Sequence, residues 1–151
     1  MIKEFVTAWD KNKDKLKEYI KTHDQDEYDS YKDLVKLLFD IVINPEAEHW
    51  RDDDNCRFWH RFDTNNIHEI DDGDYQGSLI FLLYGDSYQP SPSDYVYTSV
   101  YYGSCSGCDT LLGINDYVGG LPSDEQVDDY MTLLLHLLQK CHCMNETEAT
   151  K

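Results

Sequence analysis

The chain has 151 residues and a formal net charge of −17 at pH 7, from 30 Asp and Glu against 13 Lys and Arg. A chain of this length can bury about two-thirds of its unfolded surface in one domain, so it needs no disulfide or metal to fold. No apolar run approaches the ~18 residues of a membrane span, and the N-terminus shows no secretory signal. Five cysteines, an odd number, then indicate reduced thiols, and we expect a cytoplasmic protein.

The charge is unevenly distributed along the chain. Residues 62–139 hold 13 acids and no Lys or Arg, whereas residues 1–61 hold 15 acids and 11 bases. A stretch without cations cannot neutralise its own field through salt bridges, so we expect it to repel nucleic acid and membranes and to attract cationic partners or metal ions. Alternatively, the charge serves solubility alone, since net charge governs solubility and association rather than fold.

The N-terminal part predicts two amphipathic helices. Apolar side chains recur about every 3.6 residues over residues 3–22 and again over 27–43. Asn44-Pro45 should end the second helix, because the residue before proline is pushed out of the helical region. The aromatic-rich segment 56–62 predicts a buried connector or a short strand.

The middle of the chain predicts a sheet. Strands are expected at residues 67–70, 75–84 and 94–102, and Asp71-Asp72-Gly73-Asp74 is a turn of the Asp-Gly type that favours hairpins. Residues 79–84 are continuously apolar, which indicates a central strand covered on both faces.

The C-terminal part predicts one strong helix, over residues 123–142. A short helix or turn at 110–118 precedes it and ends at Gly119-Gly120. Ser123 and Gln126 have the spacing of a capping box. The apolar residues of this helix form one stripe: Tyr130, Leu133, Leu134, Leu137, Leu138 and Cys141.

These elements predict one α+β domain over residues 1–143, followed by a frayed tail at 144–151. We expect a three- to four-stranded, mostly antiparallel sheet that packs with two N-terminal helices and one C-terminal helix.

The loop after the third strand contains Cys105 and Cys108, whose C-x-x-C spacing is that of one half of a zinc site. The second half would come from Cys141-His142-Cys143 or from Cys56 with His60, and neither pair has a strong zinc spacing. A redox dithiol is disfavoured because no base lies nearby. The structural alternative is a tight Gly/Ser loop in which the cysteines are small buried residues.

Other chemistry has weaker support. Arg51, Arg57 and Arg61 lie among tryptophans on which a nucleotide could stack. Glu69 and the turn aspartates could bind Ca²⁺ or Mg²⁺, but their spacing is not that of an EF-hand loop. No nucleophile motif such as G-x-S-x-G is present. We therefore expect a binding protein more than an enzyme. A third hypothesis, an enzyme that acts on a nucleotide signal, rests only on this cluster of arginines and tryptophans.

Three runs carry a resemblance: Ile70-Asp71-Asp72-Gly73-Asp74-Tyr75-Gln76-Gly77, then Tyr88-Gln89-Pro90-Ser91, then Tyr101-Tyr102-Gly103-Ser104-Cys105-Ser106-Gly107-Cys108-Asp109-Thr110-Leu111. They resemble a family of small, uncharacterised bacteriophage proteins. The resemblance covers about residues 67–114 and implies a phage origin and a bacterial host cytoplasm, but it implies no activity and no site residues. In composition alone, the chain is also similar to DNA-mimicking inhibitors of restriction or CRISPR nucleases.

The first functional hypothesis is an acidic inhibitor that occupies the basic nucleic-acid channel of a host defence enzyme and binds neither nucleic acid nor a membrane. The residues expected to stand where phosphates would lie are Asp71, Asp72, Asp74, Asp86, Asp94, Asp116, Asp124, Asp128 and Asp129. The alternative is a protein that binds zinc or a small ligand such as a nucleotide, built on the Cys105 and Cys108 loop.

Overall fold

The elements follow one another as helices, then three strands, then two helices and a final two-residue strand. The structure is a computed structural model, and it describes residues 2–49, 61–73, 77–84, 95–104, 109–116 and 118–143. The elements are α1 (Ile2–Thr22), a first 3₁₀ helix (Gln25–Tyr28), α2 (Tyr31–Leu37), a π-helix (Leu38–Ile43), a second 3₁₀ helix (Asn44–His49), β1 (His68–Asp71), β2 (Gly77–Tyr84), β3 (Tyr95–Tyr102), α3 (Thr110–Asn115), α4 (Asp124–Gln139) and β4 (His142–Cys143). The predicted α+β class is confirmed.

Both predicted N-terminal helices are present, but the second begins at Tyr31 rather than at 27 and continues from Leu38 as a π-helix. Asp24 caps the first 3₁₀ helix by accepting a hydrogen bond from the Asp26 amide at 2.9 Å, and Ser30 caps α2 by accepting one from the Asp33 amide at 3.1 Å. Both capping residues have extended backbone, so no helix runs through them. The π-helix ends at Ile43, but Asn44 keeps helical backbone, with φ of −61° and ψ of −34°, and begins the second 3₁₀ helix. The prediction that Asn44-Pro45 ends the helical run is therefore wrong, because proline is tolerated in the first turn of a helix, where its missing amide would have no partner.

The sheet is built from two successive antiparallel pairings, β1 with β2 and β2 with β3. The two-residue β4 adds to the edge of β3, where His142 pairs with Tyr97. β2 is central, as predicted, but its two faces differ in burial. Phe81 and Leu83 are fully buried, whereas the alternate residues Ile80 and Leu82 are only half-buried. The predicted cover on both faces is therefore complete only on the face against which α4 packs, and it is partial on the other.

α4 lies against both the sheet and α1, and its predicted apolar stripe is buried. The capping box is confirmed: the Gln126 amide donates to Ser123 Oγ at 3.2 Å, and the Ser123 amide donates to Gln126 Oε1 at 2.8 Å. The buried Thr98 hydroxyl donates to the Leu137 carbonyl at 2.7 Å and so joins β3 to α4. The helix ends at Gln139 rather than at 142, because the chain then forms β4.

Phe62, which precedes β1, is buried in the core and is fixed there by Asn44. Asn44 Oδ1 accepts from the Phe62 amide at 2.8 Å, and Asn44 Nδ2 donates to the Phe62 carbonyl at 3.0 Å. The Phe62 ring packs edge-on against Phe39, with 5.3 Å between the ring centroids. The rest of the predicted connector, 56–60, and the predicted tail, 144–151, lie outside the described residues.

Across the ranges that the structure describes, no helix combines the length and the apolar character that crossing a bilayer requires.

Candidate functional site

Two of the predicted partner-binding acids, Asp71 and Asp72, shape the turn between β1 and β2. Asp71 Oδ1 accepts hydrogen bonds from the Tyr102 hydroxyl and from the Gly73 amide, the latter at 3.0 Å. These two bonds, led by that of Tyr102, hold the pKa of Asp71 below its usual range. Asp72 Oδ1 accepts from the Ser78 amide at 2.6 Å. Both carboxylates are exposed, so they stabilise the hairpin and still face solvent.

The predicted acids of the C-terminal half are also exposed. Asp124, Asp128 and Asp129 lie on α4, and Asp116 ends α3 in the left-handed region with φ of 50°. Lys17 Nζ lies 3.6 Å from Asp128 Oδ1, and because both side chains are well exposed the pair adds less than about 1 kcal/mol. Asp74, Asp86 and Asp94 lie outside the described residues.

The structure adds a group of acids that the sequence analysis missed. Asp24, Asp26 and Asp29 are exposed: Asp24 and Asp29 flank the first 3₁₀ helix, and Asp26 lies within it. Asp24 Oδ1 accepts from the amides of Asp26 at 2.9 Å and Gly120 at 3.0 Å, which lowers the pKa of Asp24. The feature of the sequence that could have indicated this group is the local density of acidic residues, since four of the six residues 24–29 are acidic.

Gln25 fixes this acidic segment to the loop between α3 and α4. Its amide donates to the Gly120 carbonyl at 2.9 Å, and its side-chain Nε2 donates to the same carbonyl at 3.3 Å. Its side-chain Oε1 accepts from the buried Tyr130 hydroxyl of α4 at 2.8 Å. Burial raises the pKa of Tyr130, so its hydroxyl stays protonated and keeps donating at neutral pH. The junction is therefore held by main-chain and side-chain bonds together.

A cleft of about 210 Å³ opens at this junction. We call it the acidic cleft, and its lining residues are Gln25, Asp26, Asp29, Leu112, Asn115 and Val118. The main chain passes close to it: a Cβ atom on Gly119 would lie 2.7 Å from both carboxylate oxygens of Asp26. Val118 and Leu121 are exposed by 63% and 66%. The site therefore combines apolar surface with carboxylates.

α3, which supplies one wall of the acidic cleft, begins at a buried carboxylate. Asp109 Oδ2 accepts from the Gly103 amide at 2.9 Å, and Asp109 Oδ1 accepts from the Leu112 amide at 3.2 Å and from the Tyr31 hydroxyl at 2.6 Å. This carboxylate ties the two ends of the cysteine loop together. It also fixes the start of α3 against α2.

The predicted zinc ligands Cys105 and Cys108 lie outside the described residues, as do Cys56 and His60. Among the residues that are described, no group of three or more His, Cys, Asp or Glu side chains is placed to hold a metal ion. Cys141, from the second candidate pair, is buried, and its thiol donates to the Leu137 carbonyl at 3.4 Å. Burial raises the pKa of the Cys141 thiol to about 12, which disfavours the thiolate that zinc requires.

The basic and aromatic cluster predicted as a nucleotide site is described only in part. Arg61 is exposed. Arg51, Arg57, Trp50 and Trp59 lie outside the described residues. Of the candidate sites, the acidic cleft is the one whose lining residues are described with their contacts.

Comparisons of the chain with models of protein families, with curated proteins and with solved structures find no match.

Proposed function

We propose that the protein binds the basic, nucleic-acid-binding surface of a host defence enzyme and inhibits it as a DNA mimic. The enzyme class that fits this chemistry is a CRISPR or restriction nuclease. The protein would then act in the cytoplasm of a phage-infected bacterium, as a binding partner rather than as an enzyme, and without direct contact to nucleic acid.

One observation carries the proposal: eight of the ten described acids of residues 62–139 are exposed, the exceptions being half-buried Asp63 and buried Asp109, and few of them pair with a cation. Of the ion pairs between described residues, only Lys17 with Asp128 joins a cation to an acid of residues 62–139. The other two, Lys11 with Glu46 and Lys36 with Asp40, lie within the N-terminal part. The N-terminal lysines therefore do little to neutralise the acidic region.

The physical mechanism is electrostatic complementarity. Carboxylates arrayed on a rigid surface present negative charge to a channel that is shaped to hold phosphates. Such complementarity accelerates the encounter and selects basic partners. Because the Debye length shortens from about 30 Å at 0.01 M salt to about 8 Å at 0.15 M, binding should weaken as salt rises.

A cleavage assay tests the proposal. A purified Cas9 complex and a purified restriction endonuclease are each incubated with the protein before plasmid DNA is added. We expect inhibition of at least one enzyme that weakens steeply from low to physiological salt, and we expect enzyme already loaded with DNA to be protected. Inhibition that is equally strong at low and at physiological salt contradicts the proposal. So does a protein that neither binds nor inhibits either enzyme.

The alternative function, a zinc- or nucleotide-binding protein built on the Cys105 and Cys108 loop, stays a prediction that elemental analysis tests.

A further inference from the structure

We propose that the acidic cleft receives an arginine side chain from a basic protein segment, while Val118 and Leu121 contact an apolar side chain of the same segment. This inference rests on the proposed function, because it specifies which surface makes the contact with the basic partner.

The apolar part of the surface is the first argument. Val118 and Leu121 are three positions apart in one loop, and about two-thirds of each residue is exposed, at 63% and 66%. Val118 also lines the acidic cleft. Covering these two side chains with an apolar group of a partner would release water and so favour binding.

Charge complementarity identifies the occupant. Two carboxylates, of Asp26 and Asp29, line the cleft, and among the described residues no lysine or arginine does. Asp24 and Glu27 are exposed on the same short segment. A cationic side chain is therefore the charged group that this surface attracts, and an anionic segment would be repelled.

The size and the lining favour arginine. A volume of about 210 Å³ lies below the range of about 300–1,000 Å³ that is usual for small-molecule sites, so it suits a single side chain. Leu112 and Val118 can contact the methylene groups of arginine, while Asp26 and Asp29 face its guanidinium group. Guanidinium is more weakly hydrated than ammonium and can bind a carboxylate through two parallel hydrogen bonds.

The surface is also held in place before any partner arrives. Gln25 bonds to Gly120 through both its main chain and its side chain, and Tyr130 anchors Gln25 from α4. A preformed surface loses less conformational entropy on binding, so more of its contact free energy appears as affinity.

Amide chemical shifts in NMR spectra test the location. The probe is a short synthetic peptide with one arginine next to one leucine, and the control peptide carries citrulline, a neutral analogue, instead of arginine. We expect saturable shifts concentrated in residues 24–29 and 112–121, and no saturable shifts with citrulline. Shifts spread over all exposed acids, or centred on the Asp71 and Asp72 turn, overturn the inference.

Matched variants test the contribution of charge. Asp26→Asn with Asp29→Asn removes two charges from the cleft, and Asp10→Asn with Asp14→Asn removes two exposed charges from α1. We expect the first pair to weaken binding of the arginine peptide about tenfold and the second to change it less than about twofold, since only the first removes contacts to the guanidinium. Equal losses from both pairs overturn the inference. Thermal melting confirms that both variants fold.

The nuclease assay separates this inference from the proposed function. If the unmodified protein inhibits a nuclease and the Asp26→Asn, Asp29→Asn variant inhibits it equally, the proposed function stands and the cleft is not the docking site. If the peptide maps to the cleft but no nuclease is inhibited, the docking site stands and the proposed function fails.

Discussion

The hydroxyl group of Tyr31 donates a hydrogen bond to Asp109 Oδ1 at 2.6 Å and accepts one from the Leu111 amide at 3.1 Å. Tyr31 and Asp109 are both buried, and they lie 78 positions apart in the chain. This contact joins the start of α2 to the start of α3. Because α3 carries Leu112 and Asn115, it also positions one wall of the acidic cleft.

Tyr31→Phe should lower the free energy of unfolding by about 1–3 kcal/mol, because it leaves a buried carboxylate and a buried amide each without one partner. Urea unfolding measures the change. Tyr101→Phe is the control, since Tyr101 is exposed and its hydroxyl should contribute little. Equal stability of the Tyr31→Phe variant and the unmodified protein would contradict the role given to this hydroxyl.

Gly120 should tolerate no side chain without strain, because its φ is +92°, a conformation that L-residues rarely adopt. We expect Gly120→Ala to cost about 1–3 kcal/mol of stability in urea unfolding. The comparison variant is Gly113→Ala, at an exposed position inside α3, where alanine should instead stabilise by about 0.5–1 kcal/mol. A neutral or stabilising effect at Gly120 would show that the loop does not depend on this conformation.

The Asp24 carboxylate should make stability depend on pH in the acid range. Its hydrogen bonds from the Asp26 and Gly120 amides lower its pKa in the folded state below the unfolded value of about 3.9. The unfolded state then binds more protons, so the contribution of the charge is fully present above the unfolded pKa and is lost as pH falls through the folded pKa.

Asp24→Asn isolates this charge, because asparagine keeps an acceptor oxygen. We expect the variant to be less stable than the unmodified protein at neutral pH, and the difference to close below about pH 4. Melting temperatures at a series of pH values measure it. Asp10→Asn removes the same charge from an exposed position of α1 and controls for the net charge. A difference that stays constant with pH would mean that the charge of Asp24 does not stabilise the fold.

The Cys141 thiol should be unreactive in the folded protein. Burial raises its pKa to about 12, so almost none of it is thiolate at pH 8, and reagent access is closed. We expect iodoacetamide, followed by peptide mass spectrometry, to label Cys141 only in urea. Labelling of Cys141 in buffer as fast as in urea would contradict its buried position.

The zinc alternative makes its own prediction. A site built on Cys105 and Cys108 should carry one equivalent of zinc by elemental analysis and native mass spectrometry. Either Cys105→Ser or Cys108→Ser should remove that zinc and lower the melting temperature, because metal binding couples to folding. Ser106→Ala changes the same loop without touching a thiol and serves as the control. A metal-free protein that melts at the same temperature after chelation rules this alternative out.

Local patterns in the sequence were enough for much of the fold. The Ser123 and Gln126 capping box, the stripe of α4 and the hairpin of β1 and β2 involve residues close together in the chain, and each prediction is confirmed. Such features depend on backbone propensity and side-chain periodicity, which act over a few residues. The α+β class followed from them.

The periodicity of apolar residues misplaced the start of the second helix, because one long helix and a 3₁₀ helix followed by α2 produce the same spacing. Tyr28, Tyr31, Leu34 and Val35 continue a helical spacing across residues 27–43, and all four are buried. The break between the first 3₁₀ helix and α2 comes instead at Ser30, whose extended backbone and side-chain bond to the Asp33 amide start a new helix.

The acidic cleft could not be predicted from the sequence. Its geometry depends on Gln25 and Asp24 bonding to Gly120, partners that lie 95 and 96 positions apart, and on Tyr31 bonding to Asp109. The sequence by itself determined the acidic charge, the fold class and the approximate positions of most helices and strands. Only the tertiary structure decided which acids lie beside apolar surface. The packing of α2, α3 and α4 brings together segments that are distant in the chain, and no local pattern in one segment indicates the other.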